Sequence, residues 1–273
     1  MKKPGIVLTV LAGVCVIAIK SEAAMIPLGQ NTPYTQNFNT GNPPPNGPGL
    51  ANSGTSSVVP TGWAFAESGT GANGTYTAHA GQDAPPGDTY SYGGGMSQDR
   101  AFGTLGGSSG NFSSIIGANF QNTSGSTITR INVAYVGEEW RLGAKNRTDR
   151  LDFQYSLDAT SLTTGTWIDA NNLDFVTPYT KATPGGTDGN QSKFQTAMSG
   201  TVSFLTIPSG ASFWIRWTDL DVAGADDGLA VDNFSIVAVP EASTYVAGLA
   251  LVAGLACNLK LNRRTAAGRL VAA

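Results

Sequence analysis

The chain has 273 residues, 13% of them charged, and a formal net charge of −3, with 35 glycines and 14 prolines. Residues 25–238 carry nine basic and seventeen acidic side chains, a net charge of −8. Binding to phosphate backbones requires clustered lysine and arginine, so this acidic stretch argues against a nucleic-acid partner. Cys15 and Cys257 lie outside it, and it therefore contains no disulfide. The single histidine, His79, argues against a zinc site.

The N-terminus has the order of a secretory signal. Lys2 and Lys3 precede an apolar run at residues 6–19, and small residues offer a cleavage site after Ala23. We therefore predict a signal peptide in residues 1–24 with a helical apolar segment. An uncleaved N-terminal anchor, closed by Lys20, is the alternative.

Residues 39–60 are dense in proline, glycine, asparagine and serine, which predicts a long surface loop rather than a regular element. Tyr34 and Phe38, just before it, are candidates for a first strand. Too little chain precedes the loop to fold alone, so residues 25–238 are predicted to form one domain.

From residue 61 onwards, short apolar runs alternate with turn-forming residues, which is typical of many short strands. Period-two alternation is clearest where Ile131, Val133 and Tyr135 share one face. Further strands are predicted at residues 151–156, 200–207, 213–217 and 229–237. Helical periodicity is absent outside the two terminal apolar segments. The predicted fold is all-β, an antiparallel two-sheet sandwich of jelly-roll type with an N-terminal signal helix and a C-terminal hydrophobic helix.

Glu138 and Glu139 are adjacent carboxylates that precede Trp140, a composition compatible with glycosidase chemistry. Neighbouring residues on a strand point to opposite faces, so the two cannot flank one bond. A hydrolase would need one of them beside a distant carboxylate. The simpler interpretation is exposed acids that pair with nearby arginines.

An acidic segment near the end of the domain is the strongest candidate for metal binding. Five aspartates with a glycine turn supply the oxygen ligands that calcium prefers. Its start resembles an EF-hand loop, but Ala223 and Ala230 occupy two ligand positions, so we reject an EF-hand and predict a looser calcium site. The alternatives are a solvated Asp/Gly turn and an ion pair of Asp232 with Arg216 on a neighbouring strand. The predicted ligands are Asp219, Asp221, Asp226, Asp227 and Asp232.

The five tryptophans are candidates either for the core or for stacking on sugars. Trp217 shares a face with Phe213 and Ile215, which predicts a core position. Trp214 points the other way. Trp140 and Trp214 are therefore the predicted glycan contacts.

The C-terminus combines a short polar motif, an apolar run at residues 245–259 and a basic end. It resembles the PEP-CTERM sorting signal, also called the ice-binding protein C-terminal domain, although Ala242 replaces the second proline. This resemblance implies export and recognition of the sorting segment 239–264 by an exosortase-like sorting enzyme. The apolar run at residues 245–259 predicts a membrane anchor that is temporary, and the basic residues after it predict a cytoplasmic tail at 265–273. The motif residues are Val239, Pro240, Glu241, Ser243, Thr244, Arg263 and Arg264.

The central region also resembles uncharacterised exported bacterial β-sandwich proteins that carry the same anchor. The matching segments are residues 99–103 (DRAFG), 135–141 (YVGEEWR), 151–156 (LDFQYS), 226–228 (DDG) and 232–233 (DN). The resemblance implies an intact exported domain and no specific activity.

Three functions follow from the sequence. The first is an exported, C-terminally sorted, non-catalytic protein of the cell surface or extracellular matrix, with calcium as a candidate stabilising ion and polysaccharide as a candidate partner. A carbohydrate-binding jelly-roll module is the alternative. A secreted hydrolase that uses Glu138 or Glu139 is the second alternative.

Overall fold

A computed structural model describes residues 24–42, 47–107, 112–219 and 224–240. Within them the chain forms short and long β-strands and two single-turn 3-10 helices, numbered in chain order. The strands are β1 (Ile26–Leu28), β2 (Tyr34–Gln36), β3 (Thr55–Ser56), β4 (Trp63–Gly69), β5 (Tyr76–His79), β6 (Asp88–Tyr92), β7 (Ala101–Leu105), β8 (Phe112–Asn122), β9 (Ile128–Leu142), β10 (Arg150–Ser156), β11 (Ile168–Asp169), β12 (Phe175–Val176), β13 (Gly185–Gly186), β14 (Gln195–Ile207), β15 (Ser212–Asp219) and β16 (Gly228–Pro240). The helices are η1 (Asn171–Leu173) and η2 (Ser192–Phe194).

The strands form two sheets. The seven-stranded sheet runs β1-β8-β15-β10-β11, with β4 beside β8 and β12 beside β10. The nine-stranded sheet runs β13-β9-β16-β7-β6-β5-β3, with β14 beside β9 and β2 beside β16. The all-β, two-sheet prediction is confirmed, and the long predicted strands are present as β9, β10, β14, β15 and β16.

Both sheets are mixed, so the prediction of purely antiparallel sheets is wrong. β1 lies parallel to β8, and β5 lies parallel to β6. Side-chain alternation has the same period in both kinds of ladder, so the sequence carries no signal for strand direction.

The core lies between the two sheets and is built from the alternating residues of the long strands. Trp217 of the seven-stranded sheet is fully buried. Its ring stacks on Trp63 at 6.1 Å and meets Tyr135 and Phe234 of the opposite sheet edge-on at 5.2 and 5.7 Å. The predicted core position of Trp217 is therefore confirmed.

A β-bulge interrupts the alternation in β16. The register with β9 shifts between Asp232 and Ser235, and Asn233 has a positive φ of 48°. Val231 and Phe234 both point into the core as a result. Asparagine tolerates this left-handed conformation better than most residues.

The predicted signal peptide lies almost wholly outside the described residues, as does the anchor from Glu241 onwards. Val239 and Pro240 of the sorting motif end β16. Within the predicted loop at residues 39–60, the described part is irregular except for β3. No helix among the described residues is long and apolar enough to span a membrane.

Candidate functional site

Three of the predicted calcium ligands lie at one end of the sandwich. Asp219 ends β15, and Asp226 and Asp227 precede β16; all three are buried. Asp221 lies outside the described residues. Asp232 points to the outer face of the nine-stranded sheet, because it alternates with the core residue Val231.

Asp227 and Asp149 form a hydrogen-bonded pair that ties loops together. The Gly143 N–H and the Thr177 hydroxyl each donate to Asp227 at 2.6 Å, and the Asp227 N–H donates to Asp149 at 3.1 Å. Arg147 lies 3.6 Å from Asp227 and 3.9 Å from Asp149. These carboxylates are already occupied in structural roles.

Asp219, at the same end, uses only one of its two carboxylate oxygens in a hydrogen bond among the described residues. Thr104 donates to its Oδ2 at 2.9 Å, while Oδ1 has no hydrogen-bond partner among the described residues. Burial, together with the nearby Asp149, raises the pKa of Asp219 well above its ordinary value. Across the described part of the chain, no three histidine, cysteine or acidic side chains converge in a group that could hold a metal ion. The calcium site stays a prediction that depends on Asp221, and Asp232 is not part of it.

Glu138 and Asp232 form a second acidic group on the outer face of the nine-stranded sheet. Trp140 Nε1–H and Gln195 Nε2–H donate to Glu138 at 2.9 and 3.1 Å. Burial raises the pKa of Glu138 to about 7. Burial and the neighbouring Glu138 raise the pKa of Asp232 to about 8. Both carboxyls are buried, so a substrate has no access to them, and the expected arginine partners are absent from the described contacts of Glu138.

Glu139 points the other way, as its position in the strand predicts. It is fully buried and accepts the Tyr179 N–H at 3.2 Å. Burial raises its pKa to about 8, and the nearby Asp227 acts in the same direction. The expectation that Glu138 and Glu139 are exposed is therefore wrong.

The predicted alternative of an ion pair between Asp232 and Arg216 is also wrong, because Arg216 lies on the seven-stranded sheet, where it donates to Gln154 at 2.7 Å.

Neither predicted glycan contact offers a ring to solvent. Trp140 is 2% exposed and stacks on Tyr92 at 5.8 Å. Trp214 is 3% exposed and packs beneath Ala159 and Leu162. Sugar stacking at these two positions is not compatible with this structure.

A groove with a volume of about 330 Å³ lies on the outer face of β14, β9 and β16, and we call it the outer groove. Asn132, Ser199 and Thr201 are exposed in it, and Thr201 donates to Asn132 at 2.9 Å. No charged residue contributes to its lining. The lining residues are Asn132, Val133, Ala134, Ser199, Gly200, Thr201, Ser235 and Val237.

The strand register sets this arrangement. Thr201 lies opposite Asn132, and Ser199 lies opposite Ala134, which in turn faces Ser235 of β16. One residue pair further along the same face, Arg130 lies opposite Ser203. Sequence reasoning missed the groove because its residues come from three distant segments without a motif.

Phe204 lies three residues beyond Thr201, roughly 10 Å along the strand. The residue is fully exposed, and its φ is +62°, within a register irregularity of β14. Such a backbone costs about 1–3 kcal/mol in a residue other than glycine and is common at ligand sites. Phe204 is an exposed aromatic held in a strained position near the outer groove.

A second groove of about 420 Å³ lies beside β1 and β2 and has a mostly apolar lining that includes Met25, Pro27 and Tyr34. Its lining has four side chains with hydrogen-bonding groups, the same number as the outer groove, but places them among the larger apolar side chains of Met25, Ile26, Pro27 and Pro33. The outer groove is therefore the better candidate for a polar ligand.

Comparisons with known proteins assign no family. No family model matches the chain, and no curated protein matches it. Among solved structures, it is similar to a cleaved adhesin domain of Lys-gingipain from Porphyromonas gingivalis (15% identity, 65% of this chain and 92% of that chain, TM-score 0.39). It is also similar to the xylan-binding domain of a Paenibacillus barcinonensis protein (12% identity, 78% and 99%, TM-score 0.35). A third is the enzymatically active domain of a bacteriophage tailspike (13% identity, TM-score 0.35), where the match spans 66% of this chain but only 20% of that one. At these TM-scores the likenesses identify neither a family nor a ligand.

Proposed function

We propose that this protein is an exported, non-catalytic surface or matrix protein whose β-sandwich binds an uncharged polysaccharide in the outer groove. The observation that carries the proposal is the groove itself, with hydroxyl and amide side chains on an uncharged floor. Serine and threonine hydroxyls both donate and accept, and the asparagine amide does the same, which matches the hydroxyls of sugars. The volume falls within the range of ordinary ligand sites.

Charge narrows the class of glycan. The lining has neither a cation to pair with a uronic acid nor a carboxylate to pair with an amino sugar. Glu138 and Asp232, one to two residue pairs beyond Ser199 on the same face, are buried and lie outside the lining. Arg130, at the other end, lies beyond the lining. An uncharged chain fits this distribution better than an anionic one.

Filling the groove is expected to abolish binding. Ala134 forms part of its floor, and Ala134→Phe adds a ring there, a residue with good strand propensity. We expect glycans that bind the wild-type protein on an array to bind this variant at least about tenfold more weakly. Ala66→Phe, on the outer face of the seven-stranded sheet, is the matched control and is expected to bind normally. Equal binding by both variants would contradict the proposal, as would a wild-type protein that binds no glycan.

The Phe204→Gly variant is expected to weaken glycan binding without lowering thermal stability. Phe204→Gly removes the exposed ring and relieves the positive φ, so the protein is expected to unfold at the same or a higher temperature. Loss of a stacking surface is expected to weaken glycan binding by about three- to tenfold. Calorimetric titration and thermal unfolding of the same samples measure the two effects. A variant that binds like the wild type would remove Phe204 from the site.

Export and sorting are proposed from the two ends of the sequence. Mass spectrometry of the protein recovered from its natural surface is expected to find a mature N-terminus at Ala24 and no peptides from residues 246–264. Intact terminal segments in the mature protein would contradict processing while leaving the groove proposal unaffected.

A further inference from the structure

β14 forms a long edge of the nine-stranded sheet. It is 13 residues long, and among the described residues it pairs only with β9, along one side. Its sequence, QTAMSGTVSFLTI, contains neither a charged residue nor a proline. Natural sheets usually block such edges with lysine, proline or very short strands, because unpaired backbone groups recruit another strand.

The other edges in the described part of the chain are shorter. β3, β11, β12 and β13 have two residues each, and β1 and β2 have three. β4, with seven residues, carries Glu67. β14 is therefore the one long edge without a charged residue among them. Its regular part, residues 195–203, keeps an unbroken register with β9.

We propose that β14 pairs antiparallel with β14 of a second copy of this chain, centred on Ser199. In such a pair each strand meets its own sequence, so any charged residue near the centre would face a like charge. The uncharged sequence removes that penalty. In a pair related by a two-fold axis, each copy pairs its β14 edge with the β14 edge of the other. No such edge is left for a third copy, so the assembly closes as a dimer rather than a fibre.

The pairing would join two nine-stranded sheets and place both outer grooves on the same face, because the two-fold axis of an antiparallel pair is perpendicular to the sheet. This consequence rests on the proposed polysaccharide binding. Two grooves side by side would bind one polymer with higher avidity than a single groove. The dimer itself requires no ligand.

Analytical ultracentrifugation of the purified full-length protein in mild detergent, without glycan, tests the pairing. The wild type is expected to sediment as a dimer. In Ala197→Lys/Thr201→Lys, residue 197 of one copy faces residue 201 of the other, so like charges meet and a monomer is expected. Ala197→Lys/Thr201→Asp places opposite charges across the same axis, and the dimer is expected to persist.

Thermal unfolding of both variants confirms that each is folded, since both positions are exposed. A monomeric wild type, a dimeric Lys/Lys variant or a monomeric Lys/Asp variant would each overturn the proposal. Slower amide exchange at residues 195–203 as the wild-type concentration rises provides a second readout. A dimer that binds no glycan would overturn the proposed function and leave this pairing intact.

Discussion

Replacing Trp217 with alanine is expected to lower the free energy of unfolding by about 3–5 kcal/mol, the usual range for a fully buried tryptophan. The indole contacts aromatic rings of both sheets, so its loss opens a cavity in the layer that joins them. Such a loss is a large fraction of the total stability of a typical domain.

Denaturant titration of the full-length protein measures this loss. Trp167→Ala is the matched control, because that ring is only half-buried and lies over Arg216 at the surface, 3.9 Å from its guanidinium. The control is expected to cost about 1 kcal/mol or less. Similar losses in both variants would show that the two sheets do not share the core described above.

Raising the pH is expected to destabilise the fold. Glu138, Glu139 and Asp232 have folded-state pKa values of about 7, 8 and 8, each raised mainly by burial, against ordinary values near 4. Between about pH 4 and pH 8 the folded state therefore holds protons that the unfolded state has released. Since stability falls with pH wherever the folded state binds more protons, the free energy of unfolding declines through this window.

Each unit of pKa difference corresponds to about 1.4 kcal/mol, so a loss of several kcal/mol is expected between about pH 5 and pH 9. Thermal unfolding across that range measures it. A midpoint that rises or stays level from acid to alkaline pH would contradict the burial of these carboxyls.

The Asp232→Asn variant measures how much one of these three carboxyls contributes to the pH dependence of stability. It removes the charge beside Glu138 at nearly constant shape, so the variant is expected to be more stable than the wild type at about pH 9, with little difference at about pH 4. Asp83→Asn is the matched control, because Asp83 is exposed and has a positive φ of 52° that asparagine also tolerates. The control is expected to leave the pH dependence unchanged.

Alternation in the sequence was sufficient to predict β10 and most or part of β9, β14, β15 and β16, but it did not predict the 11-residue strand β8. Ile131, Val133 and Tyr135 lie in the core, as does Trp217. The local pattern could not predict the bulge at Asn233, because strict alternation would place Phe234 on the outer face. Nor could it predict strand direction, since β1 reaches β8 from far along the chain.

The sequence pattern also did not predict that Glu138 and Trp140 are buried on the outer face of the nine-stranded sheet. The alternation of Glu138 and Trp140 with inner residues predicts solvent exposure, but loops cover this part of the sheet. The Thr187 N–H donates to the Trp140 carbonyl at 2.9 Å, and a side chain at Gly189 would collide with the indole. Such coverage depends on contacts between distant segments and leaves no periodic signal.

The outer groove also could not be predicted from the local sequence. Its residues are small and polar, a composition also common in ordinary turns, and only the pairing of three distant strands brings them together. The one local signal is that β14 is long, uncharged and rich in serine and threonine.

Hydrogen–deuterium exchange of the full-length protein, with and without a saturating uncharged glycan identified on the array, tests the central claim most directly. The groove predicts slower exchange in β14, in residues 130–136 of β9 and in residues 233–238 of β16. Protection confined to the opposite sheet, around residues 150–170 and 212–218, would contradict it, as would binding without protection of β14.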